Sequence, residues 1–257
     1  MVIKPLQMRY LAVLFTLCFI NSIKAESLTI AVASNFNLAM QHLVDAYKQT
    51  NDTELRVSYG SSGKLYAQIV NGAPFDIFLS ADQHKPQTLI DQQLTEPNSR
   101  LTYAYGALAL WSASADAIDA NANILFSGQY NKLALANPKL APYGLATLDT
   151  LESLGLLDAS RSHWVQGENI SQTYQFVATK NADIGFVALS QIKYQGKLSN
   201  GSAWIVPSAL HRPIKQDGVV LARSNNKEGA SHFMRFLQSP EALSILRDFG
   251  YQQGPAS

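Results

Sequence analysis

A short glycine- and serine-rich segment holds the residues best suited to bind an anion. Gly60-Ser-Ser-Gly63 is followed directly by Lys64 and by a helical pattern. A Walker phosphate-binding loop requires four residues between its glycines and a serine or threonine after its lysine. Here two residues separate the glycines and Leu65 follows the lysine. The segment therefore does not predict a nucleotide site, and a serine nucleophile or a site for a smaller anion remain as alternatives.

The serine nucleophile lacks the motif that would support it. Gly60-Ser-Ser-Gly63 is not the Gly-x-Ser-x-Gly elbow of hydrolases. No His-Glu-x-x-His, Cys-x-x-Cys or clustered acidic loop indicates a metal site. The five histidines are scattered along the chain: His42, His84, His163, His211 and His232. We therefore predict no enzyme, no cofactor and no directly bound metal, and the enzymatic alternative is an exported hydrolase that uses Ser62 or Asp76.

Three further turns between a predicted strand and a predicted helix are rich in hydroxyls, amides and glycine. They are Ser34-Asn35, residues 137–144 and residues 167–171. Helix N-termini present free N–H groups and about half a positive charge, so several of them at one point form an anion site. The predicted donors are the hydroxyls of Ser34, Ser62 and Tyr143 and backbone N–H groups of the same turns. Helix capping alone is the simpler alternative for Ser34-Asn35.

A site of this kind contains donors but no carboxylate that could accept a proton. We therefore expect it to select a fully deprotonated, multiply charged oxyanion. Hydrogen phosphate would bury an unpaired O–H there, at a cost of about 1–3 kcal/mol.

Apolar runs typical of strands alternate with helical patterns along most of the chain. The predicted strands cover residues 28–34, 55–59, 75–79, 106–111, 132–136, 163–166, 183–187, 202–206 and 217–221. The predicted helices cover residues 37–50, 64–71, 85–93, 145–156, 171–180, 227–238 and 240–249. Strands separated by helices favour right-handed βαβ units and parallel sheets.

We therefore predict an α/β fold of two lobes, each a mostly parallel sheet flanked by helices, with a ligand cleft between the lobes. Lobe 1 would consist of residues 26–105 plus 209–257, and lobe 2 of residues 106–208. Hinges would lie near residues 102–106 and 207–211. One larger sheet is the alternative.

The first 25 residues have the pattern of a secretory signal peptide. Basic residues precede a short apolar run over residues 11–20, and Ala25 offers a small residue for cleavage. Cleavage would remove three basic residues and no acid, which moves the net charge from +1 to −2. It would also remove Cys18, the one cysteine, so the exported chain would depend on its core and not on disulfides. The near-neutral charge indicates no nucleic-acid partner.

Motifs along most of the chain resemble the periplasmic molybdate-binding proteins of ABC importers. The matching segments follow in order at family-like spacing: residues 31–36, 39–40, 58–65, 72–76, 79–82, 136–138, 141–144, 167–170, 183–186, 240–242 and 249–251. The resemblance implies a type II periplasmic-binding-protein fold whose lobes close on molybdate or tungstate by a hinge motion. It also implies a periplasmic protein, expected to be a monomer, that delivers its ligand to an ABC transporter permease. Another tetrahedral oxyanion, sulfate above all, is the alternative ligand.

The resemblance also implies a set of ligand-binding residues. Ser34 and Ser62 would bind through their hydroxyls and Asn35 by its amide, while Tyr143 and Ile170 would supply backbone N–H groups. One branch of the family has a further tyrosine hydroxyl after the Gly-Ile-Val strand, where this chain has Ala188. The Tyr143 hydroxyl is the candidate to replace it.

Overall fold

The structure is a computed structural model, and it describes residues 27–252. The predicted signal peptide lies outside these residues. The described part of the chain forms twelve strands: β1 (Ser27–Ala33), β2 (Glu54–Gly60), β3 (Ile77–Leu79), β4 (Leu101–Gly106), β5 (Leu108–Ser112), β6 (Leu133–Ala136), β7 (Trp164–Gly167), β8 (Ile184–Ala188), β9 (Lys193–Tyr194), β10 (Lys197–Leu198), β11 (Ser202–Ile205) and β12 (Ile214–Val220).

Helices connect most of these strands. The α-helices are α1 (Asn37–Lys48), α2 (Ser62–Val70), α3 (His84–Asp91), α4 (Asn123–Ser127), α5 (Pro142–Ser153), α6 (Leu157–Ser160), α7 (Ile170–Ala178), α8 (Lys227–Phe236) and α9 (Pro240–Asp248). Short 3-10 helices cover Ser34–Phe36, Arg161–His163, Leu189–Gln191 and Ser208–Leu210. Among residues 27–252, no helix is both long enough and apolar enough to cross a bilayer.

Two five-stranded sheets organise the molecule. The first has the order β2-β1-β3-β12-β4 and the second the order β11-β5-β8-β6-β7. In the first sheet β12 is antiparallel to both neighbours, so the other four strands share one direction. In the second sheet β5 has the same antiparallel position. Each sheet is therefore mostly parallel and flanked by helices, as the sequence predicts.

The chain passes between the sheets twice. Only Ala107 separates β4 of the first sheet from β5 of the second, and the chain returns between β11 and β12. The two sheets define the two lobes described below. The crossings agree with the predicted order of the lobes, while the lobe boundaries themselves stay a prediction.

Each sheet is covered by apolar side chains on both faces. In the first lobe, Met40 and Leu43 of α1 pack with Phe233 of α8 on one face, and Leu65 and Ile69 of α2 pack on the other. In the second lobe, α5 and α7 cover opposite faces of the sheet. Burial of apolar surface stabilises a fold by about 25 cal/mol per Å². The cores of the two lobes are therefore the main source of stability. They hold the strand ends, and with them the turns of the candidate site.

Strand β4 was not among the predicted strands. Its sequence, Leu-Thr-Tyr-Ala-Tyr-Gly, lies where the sequence indicates only a hinge, because its apolar alternation is short and broken by polar residues. The structure places it at the edge of the first sheet, where it pairs with β12. The crossing therefore begins from a regular strand and not from an irregular segment.

Candidate anion-binding site

The five predicted ligand-binding residues all lie in turns at the carboxyl ends of parallel strands. Ser34 and Asn35 follow β1, and Ser62 opens α2 just after β2. Tyr143 is the second residue of α5, and Ile170 is the first residue of α7. All five residues are between 1% and 4% exposed. The edge of each sheet therefore contributes two of the four turns.

Hydrogen bonds between the lobes bring these turns together. The Gly63 N–H donates to the Leu140 carbonyl at 2.9 Å. The Ser171 hydroxyl donates to the Ser34 carbonyl at 3.0 Å, and the Ser190 hydroxyl donates to the Asn35 carbonyl at 2.9 Å. These contacts join the starts of the first-lobe helices to second-lobe turns, so the structure has the lobes closed on each other.

An ion pair at the rim also joins the lobes. Lys64 Nζ lies 3.0 Å from Glu168 Oε2, and both side chains are largely exposed. Exposed pairs contribute only about 0–1 kcal/mol. Lys64 is thus paired with a carboxylate across the cleft.

The first turn of α2 leaves one N–H group open. The Gly63 N–H is bonded to Leu140, the Lys64 N–H donates to the Ser61 hydroxyl at 3.4 Å, and the Leu65 N–H donates to the Ser61 carbonyl. An N–H at the first helical position has no acceptor within the helix. Among the described residues, none accepts from Ser62 N, so this buried group is available to a ligand.

The starts of α5 and α7 show the same arrangement. In α5, Pro142 has no N–H, and the Gly144 and Leu145 N–H groups donate to the Ala141 carbonyl. That leaves Tyr143 N without an acceptor within residues 27–252.

In α7, Asn169 Oδ1 accepts from the Ser171 and Gln172 N–H groups, each at 3.0 Å. The Thr173 N–H donates to the Asn169 carbonyl. Ile170 N is the group left without an acceptor in the described part of the chain. Three helix starts from two lobes thus each present one open N–H.

The Ser62 hydroxyl is oriented as a donor. Its oxygen accepts the Ala81 N–H at 3.0 Å from the turn after β3. Its own hydrogen has no acceptor among the described residues. A serine whose oxygen is held in this way directs its O–H toward whatever fills the cleft.

Asn35 has its side-chain amide committed to the protein. Nδ2 donates to Gln216 Oε1 at 2.9 Å and to the Tyr251 hydroxyl at 3.0 Å, which uses both of its hydrogens. Its backbone N–H has no acceptor within residues 27–252 and is therefore the group of Asn35 that could serve a ligand.

The Tyr143 hydroxyl lies in a buried polar cluster with Asn35, Gln216, Tyr103 and Tyr251. Gln216 Nε2 donates to it at 3.3 Å. Burial raises the pKa of Tyr103, Tyr143 and Tyr251 well above the ordinary value. All three phenols are therefore neutral at physiological pH, and they place no negative charge beside the open N–H groups.

Asp76 does not lie with Ser62. Its carboxylate accepts the Thr29 N–H at 2.7 Å near the start of β1 and the Ser224 hydroxyl at 2.7 Å. These contacts are at the amino-terminal end of β1, whereas the ligand-binding turns follow the carboxyl ends. The arrangement gives Asp76 a structural role and does not support the hydrolase alternative.

Several residues of the closed site were missed by sequence reasoning. They are Tyr103, Ser171, Ser190, Gln216 and Tyr251. Tyr251 lies in a motif that carries the family resemblance, and Ser171 lies in the predicted turn of residues 167–171, so both had a usable signal. Ser190 and Gln216 belong to no motif that the sequence analysis identified. Their contacts to Asn35 span 155 and 181 residues.

A cleft of about 650 Å³ flanks the site between the lobes. Gly63, Ala81 and Asp82 line it from the first lobe, and Ala141 and Pro142 line it from the second. A smaller cavity of about 280 Å³, between β4 and helices α8 and α9, includes none of the five predicted ligand residues. The lining of the cleft also includes none of the five, but Gly63 and Pro142 in it are the chain neighbours of Ser62 and Tyr143.

Two α/β lobes joined by crossing strands, with helix starts that face each other across a cleft, define a two-lobed solute-binding protein. Residues 28–252 match the family model described as "Bacterial extracellular solute-binding protein". The chain belongs to this family, and the fold class predicted from the sequence is confirmed.

Two relatives and one solved structure are similar over most of their length. The molybdate-binding protein ModA of Azotobacter vinelandii is 41% identical over 228 residues, which cover 89% of this chain and 90% of that protein. The protein of the same name from Rhodobacter capsulatus is 40% identical over 221 residues, 86% of each. The solved structure of the Azotobacter vinelandii periplasmic molybdate-binding protein has a TM-score of 0.85 and 38% identity, covering 88% of this chain and 99% of its own. The resemblance predicted from sequence motifs is thus confirmed.

Proposed function

We propose that this protein is a periplasmic solute-binding protein that captures molybdate, or tungstate, and delivers it to an ABC transporter permease. The observation that carries the proposal is the set of open, buried N–H groups at Ser62, Tyr143 and Ile170, one from each of three helix starts. The relatives named as molybdate-binding proteins, at 41% and 40% identity, support the same ligand.

The ligand set that we propose combines backbone and side-chain donors. Ser62 would donate through both its N–H and its hydroxyl, and Ser34 through its hydroxyl. Asn35, Tyr143 and Ile170 would donate through backbone N–H groups. All of these groups are neutral, so the helix-start dipoles and hydrogen bonds would compensate the charge of the anion.

The same donors explain why a fully deprotonated oxyanion would be preferred. Molybdate and tungstate carry no proton at neutral pH, and every oxygen can accept hydrogen bonds. Hydrogen phosphate would need an acceptor, and the ligand groups that we propose are all donors. An unpaired buried O–H costs about 1–3 kcal/mol, which is about a 5- to 150-fold loss of affinity.

Hinge closure is the mechanism that we propose. Ser34 and Ser62 belong to the first lobe, and Tyr143 and Ile170 to the second. An anion held by the first-lobe turns would gain its remaining donors only when the lobes close. Ligand binding would therefore shift the population toward the closed form, which the permease would recognise. We further propose that the protein acts as a monomer.

The function is tested by thermal unfolding with different anions. We compare molybdate, tungstate, sulfate and phosphate at equal concentration and ionic strength. A ligand at a thousand times its Kd adds about 4 kcal/mol of stability, which should raise Tm by about 8–16 °C for a protein of this size. We expect that shift with molybdate and tungstate alone. A shift with sulfate alone would change the substrate, and no shift with any anion would overturn the proposal.

Gly63→Ala is expected to weaken molybdate binding without lowering the Tm of the free protein. A Cβ on Gly63 would lie 3.0 Å from Leu140 Cα and 3.1 Å from the Leu140 carbonyl oxygen, across the lobe boundary. Alanine also favours helix more than glycine does. The clash would oppose closure only, so we expect Kd to rise about five- to thirty-fold, for about 1–2 kcal/mol of overpacking.

Calorimetric titration and thermal unfolding of the Gly63→Ala variant measure the two effects separately. An unchanged Kd would mean that the approach of Gly63 to Leu140 is not needed for binding.

A further inference from the structure

Gln216 is a fully buried residue whose side chain contacts two of the ligand-binding turns. It lies on β12 and is 0% exposed. Oε1 accepts from Asn35 Nδ2 at 2.9 Å and from the Tyr103 hydroxyl at 3.1 Å. Nε2 donates to the Tyr143 hydroxyl at 3.3 Å. One amide group therefore joins the first-lobe turn of Asn35 to the second-lobe turn of Tyr143.

The contact with Tyr103 extends this link to a second first-lobe turn. The Tyr103 hydroxyl lies 3.0 Å from the Ser80 carbonyl, in the turn after β3. The next residue, Ala81, donates its N–H to the Ser62 hydroxyl. Gln216 is thus linked to the Ser62 hydroxyl through three intervening residues, Tyr103, Ser80 and Ala81. Three of the five proposed ligand residues are within its network.

The backbone of Gln216 is fixed by its neighbour. The pairing of β12 with β4 shifts register between Gln216 and Asp217. The buried Asp217 carboxylate accepts from the Thr102 hydroxyl, Arg100 and Gln83. A bulge re-aims the side chain beside it. Here the hydrogen bonds from these three donors hold the bulge in place. The strand, and not the ligand, therefore sets the direction of the Gln216 side chain.

Few other side chains could serve this position. The contacts require an acceptor atom toward Asn35 and Tyr103 and a donor toward Tyr143, on one rigid planar group. Glutamate has no donor when ionised, lysine has no acceptor, and an apolar residue has neither. A buried hydrogen-bond network is less stable when some of its groups lack partners. The arrangement in which Gln216 contacts all three neighbours is therefore favoured over any other.

We propose that Gln216 is a positioning residue for the oxyanion: its amide sets the spacing between the first-lobe turns and the Tyr143 turn, and so raises affinity without touching the ligand. The proposal rests on the proposed function, because the affinity in question is that for molybdate. Outer-shell partners that orient direct ligands of metal sites change affinity by about 10- to 100-fold when they are replaced. We expect an effect of that size here.

The test is a double-mutant cycle of Gln216→Met and Tyr143→Phe, with Kd for molybdate measured by calorimetry. Methionine keeps the length of the side chain and removes both hydrogen-bonding atoms. Phenylalanine keeps the Tyr143 ring and its backbone N–H, and removes only the hydroxyl that Gln216 contacts. We expect Kd to rise about 10- to 100-fold for Gln216→Met, and Tyr143→Phe to add little in that background.

Ser224→Ala is the matched control. Ser224 is also buried in the first lobe and hydrogen-bonded, but its partner Asp76 lies at the opposite end of the sheet. We expect Ser224→Ala to have a lower Tm and an unchanged Kd for molybdate. A purely structural Gln216 would behave like Ser224: Gln216→Met would lower Tm and leave Kd unchanged.

The outcomes separate this inference from the proposed function. If the wild-type protein does not bind molybdate, the proposed function falls, and this inference falls with it. If the wild type binds and Gln216→Met binds within twofold of it, only the positioning role is overturned. If Gln216→Met does not fold, Tyr143→Phe alone decides: an unchanged Kd overturns the link between the lobes, and a rise of several-fold supports it.

Discussion

Replacing Ser62 by alanine is expected to weaken molybdate binding by about 1.5–3 kcal/mol, or about 10- to 150-fold in Kd. The Ser62 oxygen accepts the Ala81 N–H, so the hydroxyl hydrogen is free to donate to the anion. Hydrogen bonds to a charged partner lie at the upper end of the range for single bonds. Calorimetric titration of the Ser62→Ala variant measures the loss.

The same substitution should also lower the stability of the free protein. Without the Ser62 hydroxyl, the Ala81 N–H would lose its acceptor, at a cost of about 1–3 kcal/mol. This second effect is present with and without ligand, so it changes Tm and not Kd. The two measurements therefore report different hydrogen bonds of one hydroxyl.

Ser61→Ala is the control for this prediction. Ser61 is the neighbouring buried serine, and its hydroxyl caps α2 by accepting from Lys64 N. Loss of such a cap costs about 0.5–2 kcal/mol of stability. We expect Ser61→Ala to lower Tm while Kd stays within about twofold. Equal losses of affinity in the two variants would mean that the helix start, and not the Ser62 hydroxyl, holds the anion.

Local sequence patterns were sufficient to locate the turns of the site. Ser62 and Ile170 stand at helix starts that follow apolar strands, and glycine, hydroxyl and amide residues around them are local signals. Capping accounts for the neighbouring N–H groups, because Ser61 and Asn169 are typical N-cap residues. Which N–H group of each helix stays open then follows from the position of its residue within the first helical turn. Family resemblance had already named Tyr143 and Ile170 for this role, and they remain predictions until tested with a ligand.

The packing behind the turns was not predictable from local patterns. Gln216 is one amide in a strand, and nothing near it in sequence indicates that it contacts Asn35, 181 residues away. Its role depends on the strand order, which places β12 between β3 and β4. The antiparallel direction of β12 arises from the second crossing between lobes, a feature that hydrophobic periodicity does not encode. Contacts between the lobes, such as Ser190 to Asn35, have no local signal either.

Gly106→Ala is expected to reduce molybdate affinity about 5- to 150-fold. Gly106 is the last residue of β4, in the first sheet, and a Cβ there would collide with the Tyr143 hydroxyl of the second lobe. The same Cβ would lie 2.7 Å from Gln216 Nε2 and 3.0 Å from Tyr143 Cζ. Overpacking of a well-packed site costs about 1–3 kcal/mol. The collision with Tyr143 is between lobes, so we expect its cost to act on the closed form and therefore on Kd. The close approach to Gln216 is within the first sheet, and its cost would lower Tm in both forms.

A control in the same sheet separates this effect from a general loss of stability. At Gly218 of β12, a Cβ would lie 2.7 Å from Leu79 Cδ2 and 2.9 Å from Met234 Cε, which are both in the first-lobe core. Gly218→Ala should therefore lower Tm and leave Kd unchanged. For Gly106→Ala, the addition of Tyr143→Phe removes the nearest colliding atom and should recover part of the affinity. If Gly106→Ala instead lowers Tm as Gly218→Ala does and keeps its Kd, the approach of Gly106 to Tyr143 persists in the open form, and closure does not depend on it.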